Sequence, residues 1–262
     1  MGDAQVAATA DAFSTYWNPA GLAAARRGLA LSHRLWIGDA RAYDFAAKLG
    51  KNWGLAVTAT GVNDLEARES PGAPTGLFST QFMSISAAHA RALGPLRIGV
   101  ALKYLRERIF ESDASGYAID AGVQLDLPRR LVTIGAAVRN NGRMSRLQNE
   151  KTTLPRTLAV GIALHPFRIL AIDDGAPLLD LEVTLEGSHL FPDSATRLHL
   201  GAGVTIMDLA TLRAGYISND NLRATTYGLS LYWSELIFDY AYIPFKTGFE
   251  GPGHVLSLSY AW

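Results

Sequence analysis

The chain has 262 residues, with 24 basic and 24 acidic residues that cancel, 48% apolar and 18% charged positions, and no cysteine. This composition excludes a disordered chain, a disulfide-stapled scaffold and any site built on thiolates. It also lacks the basic excess of a nucleic-acid binder. Mean hydropathy is +0.09, yet no apolar run approaches the ~20 residues of a membrane-spanning helix, so the apolar residues must be dispersed.

In chain order, residues 1–25 come first and show no alternation. They are Ala-rich and contain Asn18-Pro19-Ala20-Gly21. Asn18 can cap a helical turn, with Pro19 at the first helical position, where its missing N–H costs nothing. Taken alone this is a capped surface helix. From residue 29 onward the apolar residues alternate. Strands are expected at 29–36, 40–49, 53–62, 80–90, 96–106, 116–126, 131–140, 156–165, 178–187, 196–206, 210–217, 224–233, 235–243 and 254–262. Each is near the ~9–11 residues of a tilted membrane strand. His33 and His89 interrupt the apolar faces of the first and fourth. Short connections fall near 50–52, 91–95, 127–130, 207–209 and 234. Longer ones fall at 63–79, 107–115, 141–155, 188–195, 218–223 and 244–253. Residues 37–39 are short where a long loop is due, and 166–177, containing Asp173-Asp174-Gly175, is long where a turn is due.

One face of each strand is aliphatic, as in Leu96, Ile98, Val100, Leu102 and Tyr104, or Leu158, Val160, Ile162 and Leu164. The other is not a solvent surface. At mid-strand it carries Gly99, Gly122, Gly135, Gly161, Gly201, Gly203, Gly215 and Gly228 among charges. The charges include Lys103, Asp120, Arg139, Asp180, Glu182, Glu186, Arg197, Arg213 and Asp239. Gly in a strand marks close approach of another backbone, so a small inner face leaves room for something in a lumen. The aliphatic face is then the lipid face, and Glu186 can pair with Arg197 inside. Aromatics near strand ends, such as Trp53, Tyr104, Tyr117, Trp233 and Tyr242, fit interfacial girdles. The last strand places Leu256, Leu258, Tyr260 and Trp262 on one parity, which resembles the signal read by the barrel assembly machinery. The fold class expected is an all-β, transmembrane, antiparallel up-and-down barrel of about fourteen strands. A short N-terminal helical plug sits in its lumen, residues 1–28 forming the plug and 29–262 the barrel.

The stretch Met1-Gly2-Asp3-Ala4, followed by Asp11-Ala12-Phe13-Ser14 and Tyr16-Trp17-Asn18-Pro19-Ala20-Gly21-Leu22, resembles the opening of PorV/PorQ-type outer-membrane proteins. These are relatives of the FadL-type transporters of hydrophobic compounds. Further matches are Gly116-Tyr117-Ala118-Ile119-Asp120-Ala121-Gly122, residues 134–142, Leu154-Pro155-Arg156-Thr157-Leu158 and Leu212-Arg213-Ala214-Gly215-Tyr216. The resemblance implies a fourteen-stranded barrel in the bacterial outer membrane, with Asn18, Pro19, Ala20 and Gly21 as plug residues. Family members carry an export signal before the Met-Gly. Residues 1–12 lack its basic-then-apolar pattern, so that signal is expected upstream of Met1.

Chemistry is sparse. The histidines are scattered without metal spacing, and there is no nucleophile elbow or phosphate-binding loop. Glu182 and Glu186 read as lumen lining rather than a catalytic pair, and Ser218-Asn219-Asp220-Asn221 as a loop rather than a Ca²⁺ site. No enzyme activity, cofactor or metal is expected. The resemblance implies a binding or scaffold role in type IX-like protein secretion, with docking loops at 63–79 and 141–155. The alternative is FadL-like passage of hydrophobic small molecules. That needs an apolar pocket at the lumen mouth and a sideways exit, although the small, charged inner face offers no evident greasy pocket. Expected partners are outer-membrane lipid, the assembly machinery and secreted cargo or a secretion complex, or else a hydrophobic ligand, with no nucleic acid.

Overall fold

The computed structural model describes residues 1–68, 72–147, 150–169, 178–191, 193–246, 248 and 251–262. Alternating side chains make each segment two-faced, and a two-faced strand is stable here only if both faces find cover and both edges find partners. The chain meets the edge requirement by closure. The strands are β1 Gly28–Leu35, β2 Arg41–Leu49, β3 Trp53–Ala67, β4 Gly76–Leu93, β5 Leu96–Ile109, β6 Ser112–Asp126 and β7 Val132–Met144. They continue as β8 Thr157–Leu164, β9 Leu179–Leu190, β10 Ala195–Ile206, β11 Ala210–Ile217, β12 Thr225–Trp233, β13 Leu236–Ile243 and β14 Gly253–Ala261. Each pairs antiparallel with its neighbours in sequence, and β14 returns to β1 from Gly28↔Ala261 to Leu35↔His254. The expected fourteen-strand barrel is therefore closed, with no free edge.

The wall is uneven. Strands β3, β4, β5, β6 and β7 have 15, 18, 14, 15 and 13 residues. Across the barrel, β11, β12, β13, β14 and β1 have 8, 9, 8, 9 and 8. This corrects the expected loop at 107–115: β5 and β6 continue through it and turn at Phe110 and Glu111. The expected loop 63–79 shrinks likewise, because β3 runs to Ala67 and β4 starts at Gly76. Backbone ladders carry both extensions, up to Ile109↔Ser112 and up to Ala67↔Gly76, and Arg106 Nε lies 3.1 Å from Asp113 Oδ1 on the outside of the first. A short ribbon, Arg146–Leu147 with Glu150–Lys151, follows β7. Asp173, Asp174 and Gly175 lie outside the described residues.

The two faces differ as required. Leu102 is 60% exposed on the outside while its neighbour Ala101 is 1% exposed on the inside. Outward aromatics gather at both rims. Trp53, Trp233, Tyr260 and Trp262 mark the short-turn rim, and Tyr43, Tyr104, Tyr117, Tyr216, Tyr227 and Tyr242 the other. The two histidines that interrupt the pattern join these girdles: His33 stacks on Tyr43 at 4.6 Å and His89 lies 4.5 Å from Trp53.

One bulge interrupts β7. Asn140 takes a left-handed φ of 57°, which Asn tolerates better than most residues, and register shifts between Ile119 and Ala121. The amide freed there is satisfied by Asp120, whose Oδ1 accepts the Asn140 N–H at 2.6 Å.

Candidate functional site

Residues 1–27 cross the inside of the barrel. Their helical part is limited to the single turn α1, Ser14–Trp17, and a 3-10 turn, Pro19–Ala23. The expected helical plug is thus mostly turns. Asn18 caps the second turn, its Oδ1 accepting the Ala20 N–H at 3.1 Å with Pro19 at the first position. Its Nδ2 donates to the carbonyls of Val6 (2.7 Å) and Val123 (3.1 Å). Ala20 and Leu22 are fully buried, Leu22 against Ala88 and Ala101 of the wall. Gly21 sits under Ser14 and the Thr9 carbonyl.

The inner glycines are the footprint of this segment. A Cβ at Gly99 would lie 2.5 Å from the Ala20 nitrogen, and one at Gly122 2.8 Å from Asn18 Cγ. At Gly135 it would lie 2.7 Å from Ala7 Cα, and at Gly215 2.6 Å from Gly2 Cα. The segment's polar backbone is matched by wall side chains. Gln124, fully buried, donates to the carbonyls of Val6, Ala7 and Thr9 at 3.1–3.2 Å. Glu186 Oε2 accepts the N–H groups of Gln5 and Val6, both at 2.8 Å.

That last contact corrects the expected Glu186–Arg197 pair. Register sets Glu186 opposite His199, and Arg197 opposite Ser188. The segment's amides take Glu186, and Arg197 faces Asp220 at 3.9 Å. The nine charges singled out in sequence all project inward; Asp180 pairs with Arg168 at 3.0 Å, and the other eight divide into two groups. Lys103, Asp120, Arg139 and Glu186 lie against the segment. Lys103 pairs with Asp120 at 2.6 Å, and Lys103 and Arg139 cover the rings of Tyr16 and Trp17 at 5.7 and 5.3 Å. Glu182, Arg197, Arg213 and Asp239 instead line an open cavity of about 1000 Å³ between segment and wall. Arg213 Nη1 lies 3.3 Å from Asp239 Oδ1, with Ser230 bonded to both.

Several residues of this cavity were not singled out in sequence. Arg34 pairs with Asp44 at 3.0 Å, and Ser257 Oγ donates to Ser32 at 3.1 Å. Asp3 and Asp220 both hold Arg223, at 2.8 and 3.2 Å, which ties the segment to the loop between β11 and β12. Burial pushes the Asp220 carboxyl up. The Leu222 and Arg223 N–H groups and the guanidiniums of Arg223 and Arg197 outweigh it and hold it below the usual range. Asp11 faces the cavity. Only the polar run Ser218-Asn219-Asp220-Asn221 gave a sequence signal for this latch, and Asp220's oxygens are occupied by protein donors rather than left to a cation.

A second hollow of about 600 Å³ lies on the outside of the low wall. It is lined by aliphatic and aromatic residues including Leu31, Tyr43, Val57, Leu231, Phe238, Leu256 and Leu258. Six residues, Ser32, Asp44, Phe45, Asp239, Tyr240 and Ser257, line both hollows. Of the last strand's outward residues, Leu256 and Leu258 face this groove. Tyr260 and Trp262 stack at 5.5 Å beside it, and the Trp262 N–H donates to Arg27 at 2.9 Å.

A closed barrel with a lipid-facing belt, two aromatic girdles and an occupied lumen is a protein of the bacterial outer membrane. No family model matches the chain, and no curated protein matches it in sequence. Its fold is similar to solved outer-membrane barrels. The CymD monoaromatic hydrocarbon channel shares 13% identity at a TM-score of 0.61, covering 98% of this chain and 94% of that one. The P. putida toluene transporter TodX shares 11% at 0.59, covering 98% and 96%. The Acinetobacter baumannii outer membrane protein Omp33 shares 7% at 0.52, covering 90% and 99%.

Proposed function

We propose that the protein passes small hydrophobic molecules across the outer membrane, from the lumenal cavity to the bilayer through the low wall between β13 and β2. The observation that carries this reading is the pair of hollows backing onto one stretch of wall. The inner hollow mixes ion pairs with Phe13, Trp17 and Ile243, and the outer one is apolar. Between them the wall presents small side chains, Ser32 and Ser257, as cross-strand neighbours at the closing seam. An apolar solute leaving there enters the hydrocarbon region directly, where its transfer free energy favours it. Likeness in fold to a monoaromatic hydrocarbon channel and a toluene transporter supports the same reading.

The PorV/PorQ resemblance, and the secretion role it implies, rests on the sequence motifs. The two readings separate in cells lacking the protein. Passage predicts slower initial uptake of labelled toluene with surface-protein export unchanged. It further predicts that wild-type protein restores uptake while Ser32→Trp and Ser257→Trp, which fill the wall, do not. Normal uptake in the deletion strain together with lost export would overturn passage in favour of a secretion scaffold.

A further inference from the structure

The lipid belt ends differently on the two sides of the barrel. On the low side it ends in stacked rings, His33 on Tyr43 and His254 beside Tyr240. On the high side it ends at Tyr104 and Tyr117, rings 5.5 Å apart, and the strands continue. The next outward side chains are Arg106 and Arg108 on β5, and Arg143 stands beside Tyr117 on β7. All three are exposed. Register sets Arg106 opposite Ser115, Arg108 opposite Asp113 and Arg143 opposite Tyr117. They therefore surround the small Ser115 within two inter-strand spacings, roughly 10 Å. Arg106 is bonded to Asp113, whereas Arg108 and Arg143 have no hydrogen-bond or ion-pair partner among the described residues. On this face three cations meet one carboxylate, Asp113, with Glu111 at the turn beyond the ladder.

We propose that this outward face of β5–β7 holds the phosphorylated headgroup of an outer-leaflet glycolipid. Its acyl chains lie on the belt below, along Leu102, Ile119 and Val138. Guanidinium groups match phosphate oxygens in a bidentate fork, and cations just outside a bilayer surface recognise anionic headgroups. The occupant is a lipid rather than a free anion because the cations are continuous with the lipid-facing belt. A free phosphate would have only exposed, water-screened partners there.

The full chain, purified in detergent, is titrated with bisphosphorylated lipid A, with the same lipid after phosphatase treatment, and with inorganic phosphate. Bound lipid is counted by native mass spectrometry. Lipid A is expected to be retained and its dephosphorylated form lost. The triple variant Arg106→Gln, Arg108→Gln, Arg143→Gln should weaken binding on the order of a hundredfold, each cation near an anionic lipid surface contributing about a factor of five. Arg91→Gln, outward at the opposite rim, should leave binding unchanged. Heat-modifiable mobility on a gel checks that the variants are folded. Equal retention of the dephosphorylated lipid by wild type, unchanged binding by a folded triple variant, or displacement of bound lipid by inorganic phosphate would each overturn the proposal.

Discussion

Asn18 holds the N-terminal segment at its crossing point. Its amide bonds two carbonyls with one group and caps a turn with the other. Replacing it with Ala leaves the Val6 carbonyl buried without that donor and removes the cap, which together cost about 2–4 kcal/mol of local stability. Hydrogen exchange should then quicken in residues 1–24 while the strand amides keep their protection; equal quickening throughout would mean that the segment and barrel unfold together. Asp220 acts at the other end of the same segment, through Arg223. Its folded pKa lies below the ordinary value, so the stabilisation is complete above the unfolded value of about 3.9. It is lost only as pH falls through the lower folded value. Proteolytic cleavage in 218–224 should therefore be unchanged from about pH 8 to about pH 5 and rise only in stronger acid. Asp220→Asn should be cleaved readily at every pH, and a wild-type transition near neutrality would point to another group.

Each strand carries two messages, one for lipid and one for the lumen. Val160 is 51% exposed at the centre of β8, so Val160→Arg should cost about 2–4 kcal/mol in a refolding titration into vesicles, as for cations at mid-bilayer. A cost near zero would put that face elsewhere than in lipid. On the inner side, Gly122→Val and Gly99→Val favour the strand locally but collide with Asn18 and Ala20. They should expose residues 1–24 to protease with the barrel intact. Gly228→Val is the control, because its nearest foreign atom is 3.5 Å away. Protection unchanged in Gly122→Val would mean that the segment yields without leaving. The alternation and the glycines were legible in sequence because both are periodic along the chain. The reach of β5 and β6 was not, since Arg106, Glu107, Glu111 and Asp113 place charge on both sides of the turn and hide a strand that pairing sustains. Nor was the partner of Glu186, which depends on the path of a segment about 180 positions away in sequence rather than on any local pattern.

For the whole molecule, closure and occupation of the lumen are separable. The seam from Gly28↔Ala261 to Leu35↔His254 involves no residue of the crossing segment, so the ladder has its partners without it. The lumen does not: Gln124, Glu186 and the Lys103–Asp120 pair lose their cover if the segment leaves. Water can solvate such groups in an open lumen, so removal turns a buried polar interior into a wet channel instead of an uncompensated core. Deleting residues 1–24 should therefore leave heat-modifiable mobility intact and raise single-channel conductance in planar bilayers well above that of the full chain. A folded deletion variant that stays silent would shift the barrier from the segment to the loop at the mouth, where Leu154 packs with Leu105 and Met144 over the inner face of the high wall. Passage through the low wall and conduction along the axis would then be governed by different parts. A double variant, the deletion combined with Ser257→Trp, separates them: it should conduct ions yet still fail to deliver toluene to the bilayer.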